Sequence, residues 1–74
     1  MNAQELKQLT SRLYELCSRL YPEEFNSIFT AKREVFMDWL NGKTGLNVNH
    51  ITDKAYAIQS WVNALEEIET WPKN

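Results

Sequence analysis

Leu6, Leu9, Leu13, Leu16 and Leu20 follow one another in steps of three and four residues. That spacing returns to one face of an α-helix, whereas a strand alternates faces at every second residue. The stripe commits the start of the chain to a helix over about residues 3–20. A helix with one apolar face must then bury that face against another element. Cys17 lies beside the leucines. Asn2 suits the N-cap, since its side-chain oxygen can accept from an otherwise unpaired backbone N–H, and Glu5 is placed to complete a capping box. Glu15 and Arg19 form an i,i+4 pair in the favourable order.

Two further helical periods follow. Pro22 cannot continue the first helix and suits the first position of a second, with Glu23 and Glu24 at its positive end. Phe25, Ile28, Phe29, Val35, Phe36, Trp39 and Leu40 then predict a helix over about 22–41. Lys32 falls in the middle of that apolar arc. Either its stem lies along the core with its ammonium in water, or the chain breaks near Thr30 into two helices. The single helix is the expectation, ended at Asn41-Gly42 by a glycine in the left-handed conformation. Residues 42–52 read as a loop, with Thr52 as the next N-cap and Ile51 and Tyr56 at staple positions. Ala55, Ile58, Trp61, Val62, Leu65 and Ile68 predict a third helix over about 53–70, closed by Trp71-Pro72. The expected fold is all-α: a compact three-helix bundle forming one domain over 1–74, or four helices if 22–41 breaks.

Size limits what holds such a fold together. A chain of 74 residues buries only about 60–70% of its unfolded surface, so its stability margin is slim. One cysteine makes no internal disulfide, and one histidine with one cysteine is a poor metal set. Helix packing or self-association must do the stapling. The polar opening Asn2-Ala3-Gln4-Glu5 lacks a signal-peptide pattern, and no run is apolar enough to span a membrane. A cytoplasmic protein is the expectation.

Several chemistries lack their residues. Gly42-Lys43-Thr44 resembles the end of a phosphate loop, but Met37 stands where the pattern needs its first glycine, and no strand precedes it. His50, the only imidazole, reads as a loop residue with no base or ligand set around it. Cys17 reads as a small buried hydrophobe. Glu23/Glu24 and Glu66/Glu67 are adjacent pairs whose side chains diverge by about 100° on a helix, so they do not face each other across a substrate. No enzyme, cofactor or metal site is expected. A helix-turn-helix DNA reader needs a basic recognition helix. Here residues 53–74 hold two cations against four carboxylates, which argues against direct nucleic-acid binding.

Function must then rest on what the core does not use. Tyr14 and Tyr21 read as widening the first helix's apolar face, and Met37 as pointing away from the second helix's Phe/Trp face. On the third helix, Tyr56, Ser60, Asn63, Glu67 and Trp71 follow at helical steps on the side away from Ile58, Val62 and Leu65. Tyr and Trp dominate binding hot spots. Glu66, Glu67 and Glu69 crowd the helix C-terminus, where the macrodipole disfavours them. The expected function is therefore a small non-enzymatic protein of inhibitor, immunity-type or adaptor kind. It would bind another protein with a basic surface through Tyr56, Ser60, Asn63, Glu66, Glu67 and Trp71. A homodimer or larger homo-oligomer that completes its core by symmetry is the alternative. A nucleotide binder using Tyr/Trp stacking is a third.

Overall fold

In the computed structural model, which describes residues 2–49 and 52–71, the chain folds into four helices. They are α1 (Ala3–Leu20), α2 (Pro22–Ile28), α3 (Arg33–Thr44) and α4 (Lys54–Thr70). The architecture is an all-α bundle, with no strand among the described residues. The expectations for His50, for the staple residue Ile51 and for Pro72 lie outside the described residues.

The leucine stripe builds α1 as its spacing requires. Leu13, Leu16 and Cys17 are buried, with Leu6, Leu9 and Leu20 packed at the margin of the core. Asn2 caps the helix by accepting the Glu5 N–H at 2.8 Å. Against α1 lies α4, whose inner face buries Ala57, Ile58, Trp61, Val62 and Leu65. These two long helices form the strongest packing in the molecule, and α2 and α3 close the bundle, each resting on its chain neighbours.

The segment 22–41 takes the broken form rather than the expected single helix. After Ile28 the chain turns through Phe29, Thr30 and Ala31, and Lys32 is extended at φ −61°, ψ 154°. The break has a physical reason. A continuous helix would carry the Lys32 ammonium into the middle of the apolar arc, whereas the turn leaves Lys32 exposed. It also changes the phase of the arc. Val35 and Phe29 end up exposed, while Met37, expected to point outward, packs against the core beside Phe36 and Leu40.

The stop of α3 also differs from expectation. Gly42 stays inside the helix, and Gly45 takes the left-handed conformation at φ 73°, its N–H bonded to the Asn41 carbonyl at 2.9 Å. Gly42, Lys43 and Thr44 are thus the last helical residues, not the start of a loop. After Gly45 the chain tucks Leu46 and Val48 onto the core. Asn41 fixes this segment by gripping both backbone groups of Val48, donating to its carbonyl at 3.1 Å and accepting its N–H at 3.2 Å. The cap of α4 is Asp53 rather than Thr52, accepting the Tyr56 N–H at 3.0 Å.

Candidate functional site

The acidic C-terminal end of α4 is largely answered from within the molecule. Arg12 on α1 reaches Glu66 at 3.0 Å, and Arg19 reaches Glu69 at 2.7 Å. Both arginines also hold Glu15 on their own helix, Arg12 at 3.1 Å. The hydrogen bond to Glu66 pushes the Arg12 guanidinium further up from its already high value. Glu66 therefore faces α1, and of the three carboxylates only Glu67 shows no partner among the described residues.

The other members of the expected stripe do lie on the outer side of α4. Tyr56 is 65% exposed and Trp71 59%. Trp71 does not fold back over the bundle end. Two of the polar residues between them are engaged locally: Ser60 donates to the Tyr56 carbonyl at 2.8 Å, and Asn63 accepts from Gln59 at 2.8 Å. The stripe is thus two separated aromatics joined by a polar face.

A second surface collects more. The turn between α2 and α3 leaves a half-open groove of about 340 Å³, bounded by α1, by that turn, by α3 and by the start of α4. Leu13, Leu40, Ile58 and Trp61 line its depth, and Tyr14, Phe29, Phe36 and Met37 also line it. The rings form one cluster. Tyr14 meets Phe29 and Phe36 edge-on, each at 5.8 Å between centroids, and Phe25 lies 5.3 Å from Phe29. Such tilted and edge-on pairs hold their geometry through the ring quadrupoles. Even so, Phe29 is 56% and Tyr14 41% exposed. Among the described residues, the charged ones lining the groove are Arg33 and Lys54.

The stripe residues Tyr56, Ser60, Asn63, Glu66, Glu67 and Trp71 are absent from the groove. Sequence reasoning missed it because it treated 22–41 as one helix, which places Phe29 in the core. The signal was present as Lys32 interrupting the apolar arc.

On the opposite side of the α2–α3 pair, Glu24 joins the two helices. It accepts from Lys43 at 2.7 Å and from the Trp39 indole at 3.2 Å, and Lys43 sits 4.9 Å over the Tyr21 ring. The bonds from Lys43 and then Trp39 pull the Glu24 carboxyl below its ordinary value. The latch links the first turn of α2 to Trp39 and Lys43 of α3. Cys17 is fully buried, and burial pushes its thiol up to about 12. It is protonated at neutral pH, and a thiol is a weak nucleophile in that form.

Among the described residues, no group of three His, Cys, Asp or Glu could hold a metal ion. Nor is any helix long and apolar enough to cross a membrane. Comparison with protein-family models, curated proteins and solved structures gives no match.

Proposed function

We propose that this chain is a non-enzymatic helical protein that acts by binding another protein, in an inhibitor, immunity-type or adaptor role. Its binding surface is the groove around Tyr14, Phe29 and Phe36. One observation carries the reading: Phe29 is 56% exposed within a continuous aromatic cluster that borders a cavity. Large apolar side chains left in contact with one another at the surface, beside a concavity, are the usual anatomy of an interaction site. The buried thiol agrees with a cytoplasmic setting.

The test is a comparison of wild type with Phe29→Ala as bait against proteins of the native host. The reading expects a protein captured by wild type to be lost on Phe29→Ala, with the variant's helical circular dichroism unchanged. A partner captured equally by both places the function elsewhere.

The outer face of α4 is a second reading, favoured by the exposure of Tyr56 and Trp71 at 65% and 59%. Tyr56→Ala with Trp71→Ala distinguishes it, because neither residue touches the groove. The homo-oligomer reading draws less support, since Leu16, Leu40, Leu65 and Cys17 are already sealed within one chain. Sedimentation as an 8.7 kDa species at low micromolar concentration removes it.

A further inference from the structure

The groove is positively charged in a chain whose net charge is −2. Among the described residues no carboxylate lines it, whereas Arg33 and Lys54 both do. The cations used for structure are paired elsewhere: Arg12 with Glu66, Arg19 with Glu69 and Lys43 with Glu24. Arg33 and Lys54 have no hydrogen bond or ion pair among the described residues, and neither does exposed Lys32, next to Arg33 in sequence.

Helix geometry adds to the same field. Arg33 and Lys54 are the first residues of α3 and α4. A helix N-terminus carries a partial positive charge, so a cation there is disfavoured unless something answers it. At α4 the answer is partial, through the cap Asp53. At α3 the cap position is Lys32, and no side chain caps the first-turn N–H groups. Glu34 stands in that first turn, but it follows Arg33 by about 100° around the helix and does not line the groove. Two helix ends and two free cations thus converge on the mouth of an apolar cavity.

Resting on the groove as the binding surface, we infer that its occupant is an acidic, apolar-faced peptide segment of a partner protein. Its apolar side chains fill the space over Leu13, Leu40 and Ile58, and its carboxylates meet Arg33, Lys54 and the open start of α3. Arginine suits this task, because its planar fork pairs bidentately with a carboxylate and sheds water more readily than an ammonium. A nucleic-acid strand fits less well. Strand binding uses a run of cations that follows the backbone, whereas two cations, Arg33 and Lys54, line this groove among the described residues and the chain is acidic overall.

The experiment selects random displayed peptides of about a dozen residues on the immobilised full chain, then titrates the winners as free peptides. Each winner is measured on wild type, on Phe29→Ala and on the double variant Arg33→Glu/Lys54→Glu, beside a short fluorescent oligothymidylate on wild type. The expected winners carry net negative charge with at least two apolar residues, and weaken about tenfold or more on the charge-reversed variant. A Glu→Lys copy of each winner reads the same charge effect on the wild-type chain, so the answer survives if the double variant does not fold. Winners that are neutral or basic, yet lose binding on Phe29→Ala, overturn the acidic occupant and leave the groove reading standing. Winners indifferent to Phe29→Ala overturn both. Oligothymidylate binding tighter than any winner replaces the peptide with nucleic acid.

Discussion

The side-chain oxygen of Asn41 on α3 accepts the indole N–H of Trp61 on α4 at 2.9 Å. Trp61 is 2% exposed, so its indole N–H is satisfied by this bond rather than by bulk water. The same amide holds both backbone groups of Val48. One residue therefore ties α3, α4 and the segment after Gly45 together. Asn41→Ala leaves a buried N–H unpaired and frees the loop, and should lower stability by about 2–3 kcal/mol in urea unfolding at 25 °C. A double-mutant cycle with Trp61→Phe isolates the indole bond, with an expected coupling of about 1–2 kcal/mol. A loss under about half a kcal/mol for Asn41→Ala contradicts the clasp.

The Glu24 latch gives a pH dependence with a definite sign. Its carboxyl is held below the ordinary value of 4.5 by Lys43 and the Trp39 indole. A carboxylate with a depressed folded value contributes stability that is present above its unfolded value and lost as pH falls through the folded one. The Trp39 indole N–H resonance should accordingly shift with a midpoint below 4.5, and Glu24→Gln should abolish that titration. The stability effect is small, because the group is solvent-exposed and screened. A midpoint at or above 4.5 contradicts the latch.

Cys17 behaves in the opposite direction. Burial raises its thiol from an ordinary 9.0 to about 12. The unfolded chain releases this proton first as pH rises, so the thiol's contribution to stability is intact below 9.0 and declines from there toward 12. Wild type should therefore lose more stability than Cys17→Ala between about pH 8 and 10.5. Alkylation by iodoacetamide at neutral pH should be slow in the folded protein and rapid in denaturant. Fast alkylation of the native chain argues against the burial.

Much of the scaffold was legible in sequence because it depends on local period and local caps. The leucine steps of α1, the Asn2 cap, Pro22 at the start of α2 and the inner face of α4 each follow from neighbours within a turn. Lys32 showed where a break could fall, but not that the chain would break. That choice compares burying an ammonium with exposing Phe29 and Val35, a difference between tertiary arrangements. The pairing of Glu66 and Glu69 with Arg12 and Arg19 spans some fifty residues. Sequence showed carboxylates breaking a helix-dipole preference but could not show the arginines that answer them. The groove is legible least of all, since it exists only where four elements fail to fill one volume.

Gly42 inside α3 and Gly45 at its C-cap make opposite predictions. Gly42 and Gly45 stand three residues apart, and sequence pattern alone chose the wrong one as the stop. Gly42 sits within the helix with open space where a Cβ would point. Gly42→Ala should therefore stabilise the protein by about 0.5–1 kcal/mol, through lower backbone entropy in the unfolded chain. Gly45 has equally open space but a φ of 73°. A Cβ there meets its own backbone rather than a neighbour, so Gly45→Ala should destabilise by about 1–2 kcal/mol. Gly45→Asn should fall between, because asparagine tolerates the left-handed region better than other side chains. Thermal unfolding of the three variants under one buffer reads the order directly. If Gly42→Ala destabilises while Gly45→Ala does not, α3 ends at Asn41 and the Val48 clasp must be drawn differently.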